Sequence, residues 1–340
     1  MDIYQIVDIK EEENTITLRF SLTLKWKDVQ MEYINLRDEP TINMVPPDEM
    51  SQMWVPEIDF PSLLTVIQTD KPGLVSILKE DPHIDTRKNG VVAEQIYSGW
   101  HNTILNEKYQ TMTFTCTYSL DNYPFDRQDC RIGLAIAGLA RLSMWLLPGR
   151  VQMVQQQQLQ QYEVTRVELA PWQLAGRGLQ GAEVTVRLER RVTGLLLTTY
   201  LPTIMMNIIN QATMYIDSDR FFETFLTTNI TCMTVLASLY ILFSSVVPQT
   251  SYTKSVDIWF LFNLTYPFSL ILLHIIIEHI KATEAEVKAF TVRSDIEDNE
   301  TELKETKLNW QRFWVTMGKR VLPGMGLLFV ISYFMYYSCI

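Results

Sequence analysis

A row of hydroxyl side chains runs through an apolar stretch that is long enough to cross a membrane. The stretch includes "ETFLTTNITCMTVLASLYILFSSVV", residues 223–247. Its hydroxyls, together with Ile241, recur at alternating spacings of three and four residues, which places them on one stripe of an α-helix. At 1.5 Å per residue the stripe extends about 32 Å, which matches the thickness of a membrane. The hydroxyl members are Thr224, Thr227, Thr231, Thr234, Ser238 and Ser245.

Two kinds of contact could account for these hydroxyls. One or two threonines would bond to their own helix carbonyls or would allow neighbouring helices to pack closely. A whole stripe of hydroxyls favours contact with water instead. A single stripe cannot enclose water, so we expect several copies of the chain to surround a symmetry axis, with this helix lining an aqueous path.

The ends of the stripe carry the groups that would select and stop ions. Glu223 stands at its beginning, beside Asp217 and Asp219. A ring of acids at a pore mouth favours cations, so we expect Glu223 to select permeant cations; the alternative is a solvated loop acid. The stripe is apolar only at Ile241 and the adjacent Leu242, and we expect the closed constriction there.

Four apolar stretches supply the ~20 residues that cross a bilayer. They cover approximately 192–216, 221–247, 256–280 and 318–340. Four spans put both termini on one side, which we expect to be extracellular, so that the chain is a multi-pass plasma-membrane protein in contact with lipid. The linker 281–317 then faces the cytoplasm, either at its native length or shortened.

The first half of the chain has the pattern of β-strands. Residues 15–26, "TITLRFSLTLKW", alternate apolar and polar without a break, and 109–118 and 182–189 repeat the pattern. Period two is typical of half-buried strands, so we expect an all-β, immunoglobulin-like sandwich over 1–191, followed by a four-helix transmembrane domain over 192–340. The N-terminus carries acids where a signal peptide needs bases, and we expect a mature or trimmed chain.

Composition excludes several classes of function. The net charge of −10 argues against nucleic-acid binding, which requires a basic surface. No nucleophile, base and acid occur in a catalytic arrangement, so we expect no enzyme, no cofactor and no metal ion.

Cys116 and Cys130 enclose "TYSLDNYPFDRQD", and a disulfide between them fits an extracellular domain. On spacing alone this disulfide is either a plain hairpin staple or part of a functional loop. Tyr123-Pro124 within it favours a cis peptide bond.

This cysteine loop resembles the signature of the Cys-loop receptors, the pentameric ligand-gated ion channels. "WVPEI" (54–58), "LERR" (188–191) and "VPQTS" (247–251) resemble further family segments in the expected order. The resemblance implies a β-sandwich outside the membrane and subunits around a central pore. We therefore expect a homopentamer with four further copies of this chain, opened by a small molecule bound between extracellular domains. The alternative is a non-conducting receptor or adhesion subunit on the same scaffold.

The resemblance also bears on the pore. The family's cation channels carry an acid near Glu223, and its anion channels carry a Pro-Ala insertion that "DRFFETF" (219–225) lacks. Thr234 stands where the family usually places a leucine that closes the pore. We therefore expect cation selectivity and a gate nearer the outer end.

The ligand site of this family is an aromatic cage that holds cationic amines by cation–π attraction. Trp172 matches one aromatic position, or packs on its own sheet. Other positions lack the expected aromatic, and Arg19 beside them either pairs with an anionic group or is a solvated strand charge. We expect a cleft that does not suit a small quaternary amine. The remaining candidate residues are Phe60, Ser21, Ala137 and Leu179.

The resemblance finally implies coupling between the two domains at the membrane surface. In the cysteine loop the residues concerned are Tyr123, Pro124, Phe125 and Asp126, and at the junction with the first span they are Arg190 and Arg191. We expect an ion pair between Asp126 and Arg191.

Overall fold

A computed structural model describes residues 1–69, 73–82, 84–89, 92–138, 144–155, 159–174, 179–216, 218–291 and 309–338. The chain divides into two compact units. The first consists of Met1–Tyr118 and Arg127–Glu189, and the second of Ser119–Asp126 and Arg190–Ile340. The tip of the cysteine loop therefore belongs to the second unit.

The first unit is built from β-strands. In chain order they are β1 Asp2–Lys10, β2 Thr15–Trp26, β3 Glu32–Ile34, β4 Ile58–Asp59, β5 Leu63–Thr69, β6 Leu74–Leu78, β7 Asp85–Asn89, β8 Val92–Ser98, β9 Thr103–Thr115, β10 Arg127–Ile136, β11 Gln152–Met153, β12 Tyr162–Leu174 and β13 Leu179–Arg190.

Within the described residues these strands form three sheets. One has the order β11-β1-β2-β9-β5, with β6 also paired to β9. A second has the order β12-β13-β10-β4, and a third the order β3-β8-β7. Apart from the parallel pair β1–β11, the described pairings are antiparallel, as in a sandwich made from hairpins.

Alternation along β2 explains the core between the two larger sheets. Ile16, Leu18 and Phe20 are fully buried, whereas Arg19 on the opposite face is exposed. Their partners from the other sheet include Ile132, Val184 and similar residues of β10 and β13 in the same cluster. The predicted strand 15–26 is confirmed in both bounds, and the strands predicted at 109–118 and 182–189 correspond to β9 and β13. The all-β sandwich is thus confirmed.

In the described part of the second unit there are four helical segments. Helix 1 covers 193–215 and changes from α to π at Leu196–Tyr200 and to 3₁₀ at Thr213–Tyr215. Helix 2 is Ser218–Val246, with a break at Phe221, whose φ of −127° and ψ of 19° are not helical. Helix 3 is Ser255–Thr291, and helix 4 is Asn309–Tyr337.

Within the described residues, three helices are long and apolar enough to span a membrane: Phe221–Val246, Ser255–Thr283 and Asn309–Tyr337. Helix 3 extends past the predicted end at 280, and helix 4 begins before the predicted 318. The apolar pattern sets only the part that crosses lipid, whereas helix-forming residues such as those of "KATEAEVKAF" (281–290) continue a helix into water.

Candidate functional site

The cysteine loop is closed by a disulfide between Cys116 and Cys130, whose Cα atoms are 5.2 Å apart. Cys130 lies in β10 and both cysteines are buried in the sandwich core. Beside them the Tyr118 hydroxyl donates to the Thr15 carbonyl at 3.1 Å, and burial raises the pKa of Tyr118 above its usual range. The peptide bond between Tyr123 and Pro124 is cis, as predicted.

A buried ion pair lies between the loop tip and the end of β13. The Arg190 guanidinium donates from Nε to Asp126 Oδ1 at 2.7 Å and from Nη2 to Oδ2 at 3.1 Å. The two side chains are only 4% and 2% exposed. The guanidinium also lies 4.5 Å from the centre of the Tyr123 ring, within cation–π range. A paired, bidentate geometry of this kind is what makes a buried charge tolerable.

The expected partner of Asp126 was Arg191, so this prediction needs correction. Period two along β13 buries Val186, Leu188 and Arg190 and leaves Arg191 exposed. The inward face therefore brings Arg190 to Asp126, because alternate residues of a strand share a face.

The linker between helices 2 and 3 also contacts the loop tip. The Leu120 N–H donates to the Tyr252 hydroxyl at 3.0 Å, and Ser255 donates to the Asp121 carbonyl from its N–H at 2.9 Å and from its Oγ at 2.8 Å. The sequence pattern did not single out Tyr252 or Ser255 for this contact. Ser255 was detectable as the first residue of a helix, since Asp257 caps the preceding Lys254 N–H at 2.9 Å.

Helix 2 carries the predicted pore-lining residues on one exposed face. All nine are exposed in the single chain, whereas Phe225, Asn229, Cys232 and Leu236 form a buried stripe on the other side. The predicted pore-lining residues are Glu223, Thr224, Thr227, Thr231, Thr234, Ser238, Ile241, Leu242 and Ser245.

Most of these hydroxyls donate to carbonyls of their own helix, which was the alternative to water contact. Thr227, Thr231, Thr234 and Ser238 donate to the carbonyl four residues earlier at 2.7–2.9 Å, and Ser245 donates to the Leu242 carbonyl at 2.7 Å. The two explanations are compatible, because a hydroxyl has one proton and two lone pairs. Once the hydroxyl proton is donated to a helix carbonyl, the lone pairs of the exposed hydroxyl oxygen can still accept hydrogen bonds.

The two ends of the stripe differ in polarity. Glu223 is exposed and follows the break at Phe221, where helix 2 becomes regular. Ile241 and Leu242 are 67% and 64% exposed, large values for apolar side chains. Asp217 lies outside the described residues, as does the side chain of Asp219.

The candidate ligand residues differ in how exposed their side chains are. Phe60 packs against Phe20 and Phe114 in the sandwich core and Ser21 is fully buried, so neither side chain is available to a ligand in this structure. Arg19 is exposed, and Ala137 is half-buried with its N–H donating to the Glu57 carbonyl at 2.8 Å. The side chains of Trp172 and Leu179 lie outside the described residues. The sequence did not exclude Phe60 from the ligand site, because its contact with Phe20 depends on how distant parts of the chain pack.

No group of three or more His, Cys, Asp or Glu residues that could hold a metal occurs in the described part of the chain. The exposed stripe of helix 2 and the buried Asp126–Arg190 pair are chemically distinctive features of the described part of the second unit.

Comparison with known proteins identifies the family. Residues 1–167 match the family profile of the neurotransmitter-gated ion-channel ligand binding domain. A gamma-aminobutyric acid receptor subunit beta of Caenorhabditis elegans is 23% identical over 78% of this chain and 45% of its own length. The corresponding Lymnaea stagnalis subunit is 21% identical over 86% and 59%.

A glutamate-gated chloride channel of Drosophila melanogaster is 21% identical over 79% of this chain and 55% of its own length. The chain thus spans about half the length of the curated relatives it matches. With the sandwich, the disulfide loop and the apolar helices, these matches support this chain as a member of the Cys-loop receptor family, whose members are ligand-gated ion channels of the plasma membrane with an extracellular ligand-binding domain and are not enzymes.

Proposed function

We propose that this chain is the subunit of a homopentameric, cation-selective channel whose pore is lined by helix 2. The observation that carries this proposal is the exposed stripe of helix 2, from Glu223 to Ser245. Such a stripe buries its side chains only when several copies of the helix face one another around an axis.

Two features of the stripe support selectivity for cations. The exposed hydroxyl oxygens have donated their protons to helix carbonyls, so their lone pairs remain for a hydrated cation. Glu223 adds a carboxylate at the inner mouth, where a ring of like charges concentrates cations and repels anions. One relative is named a chloride channel, so anion selectivity is the competing outcome.

In this proposal the gate is formed by Ile241 and Leu242. Their apolar side chains interrupt the polar stripe, and an apolar ring closes a pore by excluding water. Agonist would bind between extracellular units, near Arg19, Ala137, Trp172 and Leu179. Its effect on the pore would pass through the Asp126–Arg190 pair and the Tyr252 linker.

Conduction separates this proposal from a non-conducting receptor. The full chain is expressed in oocytes and challenged with two probes taken from the names of its relatives, γ-aminobutyric acid and glutamate. Because the agonist is unidentified, the variant Ile241→Ser/Leu242→Ser supplies a ligand-independent test: removal of the apolar ring should produce a steady leak current. A matched control, Ile230→Ser, changes an exposed apolar residue outside the stripe and should produce none. Surface expression of the double variant without any current would contradict the proposal.

A further inference from the structure

A cluster of polar side chains is buried behind the proposed pore face. Asn210 and Thr213 on helix 1, Asn229 on helix 2 and His274 on helix 3 are each no more than 5% exposed. They lie at the inner half of helix 2, since Asn229 is about 9 Å along the helix from Glu223. Polar groups in this position are costly unless they bond to one another.

The hydroxyl of Thr213 joins the three helices. Its oxygen lies 2.6 Å from the backbone carbonyl oxygen of Asn210, 3.1 Å from Asn229 Nδ2 and 3.1 Å from His274 Nε2. A carbonyl can only accept, so the single hydroxyl proton is committed to Asn210. Thr213 Oγ1 therefore accepts both from Asn229 and from His274, and the neutral imidazole must carry its proton on Nε2.

This arrangement connects directly to the pore helix. The second amide proton of Asn229 goes to the Phe225 carbonyl at 2.8 Å, and the Phe225 ring lies 5.8 Å from the His274 ring. Asn229 is on the buried stripe, opposite Thr227 and Thr231 on the exposed stripe. Any rotation or tilt of the inner half of helix 2 must therefore carry the Asn229–Thr213 bond with it or break it.

The cluster contains one side chain that can gain a charge by protonation, the imidazole of His274. A histidine in water gains its second proton between about pH 5 and 8. A second proton would sit on Nδ1, add a donor and place a full charge inside the bundle. On the elements packed against His274, helix 1 contributes Asn210 and Thr213 and helix 2 contributes Phe225 and Asn229, none of which titrates there. On its own helix Glu278 stands one turn further, with Oε2 buried and no partner among the described residues.

We propose that Asn229, Thr213 and His274 form a proton-sensitive tether that fixes the inner half of the pore helix. Its role in gating rests on the proposed function, whereas its mechanical role does not. Neutral His274 keeps the tether closed. Protonation favours a looser arrangement in which water or Glu278 reaches the charged ring, because an isolated charge in an apolar bundle is strongly unfavourable. These residues are positioning residues: they act on the pore through helix 2.

The test measures helix 2 and needs no current. The full chain, with Cys232→Ala and Cys339→Ala, is reconstituted in liposomes with a nitroxide label at Ile230→Cys, next to Asn229. Acidification from about pH 7.5 to about pH 5.0 should raise the mobile fraction of the label about twofold. A label at Val246→Cys, at the far end of helix 2, should not respond.

Three variants separate the protonation of His274 from the loss of the Thr213 hydroxyl. His274→Gln keeps an N–H donor and cannot gain a proton, so the acid response should disappear while mobility stays low. Thr213→Val removes the hydroxyl at nearly constant volume, so mobility should be high at both pH values. Thr213→Ser keeps the hydroxyl and should behave like the parent.

Three results would overturn the tether: no acid response in the parent, the same response in His274→Gln, or a response lost in Glu278→Gln but kept in His274→Gln. A channel that fails to conduct would refute the proposed function and leave these spectra as they are.

Discussion

The strongest structural prediction concerns the buried pair of Asp126 and Arg190. Its side chains are 2% and 4% exposed, so removal of one partner leaves a nearly desolvated charge. Such a loss costs about 3–5 kcal/mol. For a chain of this size we expect Arg190→Ala or Asp126→Ala to lower the apparent Tm by about 10 °C.

The assay is thermal unfolding of the detergent-solubilised full chain, followed by loss of the folded species on size exclusion. Arg191→Ala is the matched control: the residue is adjacent and exposed, and its loss should cost no more than about 0.5 kcal/mol. The double variant Asp126→Ala/Arg190→Ala removes both charges and should be less destabilised than the sum of the single variants. Equal losses at Arg190 and Arg191, or an additive double variant, would refute the pairing.

Three further outcomes follow from the geometry. Burial raises the pKa of Tyr33 to about 12, whereas the unfolded tyrosine ionises near about 10; stability should therefore fall between these values, less steeply in Tyr33→Phe, as alkaline unfolding would measure. Tyr252→Phe removes the acceptor of the Leu120 N–H and should shift the half-activating concentration of any effective agonist about fivefold, with no change in single-channel conductance. Cys116→Ala/Cys130→Ala should cost about 3 kcal/mol, and reducing agent should destabilise the parent but not the variant.

Period two accounts for the part of the fold that could be predicted. In β2 the alternation sets one face against the core, and the strand's bounds follow from where the alternation stops. The apolar helices were predictable for a similar reason, because hydrocarbon requires a minimum length of apolar residues. Helix ends in water depend on local propensity, so the extension of helix 3 to Thr291 could not be read from the apolar pattern.

The site was predictable where one helix face defines it and unpredictable where two segments meet. The stripe of helix 2 follows from spacing alone. The partner of Asp126 depends on which face of β13 turns inward. Arg190 lies two residues after the apolar Leu188 and therefore shares its inward face, which the sequence could have indicated. Phe60 was assigned to the ligand site by position in the family pattern, but its ring packs with Phe20 and Phe114, which are distant in sequence.

The buried cluster around Thr213 shows the same limit. Asn210, Asn229 and His274 are single polar residues in three separate apolar stretches, and each is unremarkable alone. Only packing brings them to one hydroxyl.

The reversal potential of the open pore tests the central claim most directly. With a tenfold sodium chloride gradient, a cation-selective pore reverses near the sodium equilibrium potential, about 59 mV on one side of zero, and a chloride pore at the same value on the other side. We predict sodium-like reversal in the Ile241→Ser/Leu242→Ser background and a shift toward zero when Glu223→Gln is added. Reversal that follows chloride, or no effect of Glu223→Gln, would contradict the account.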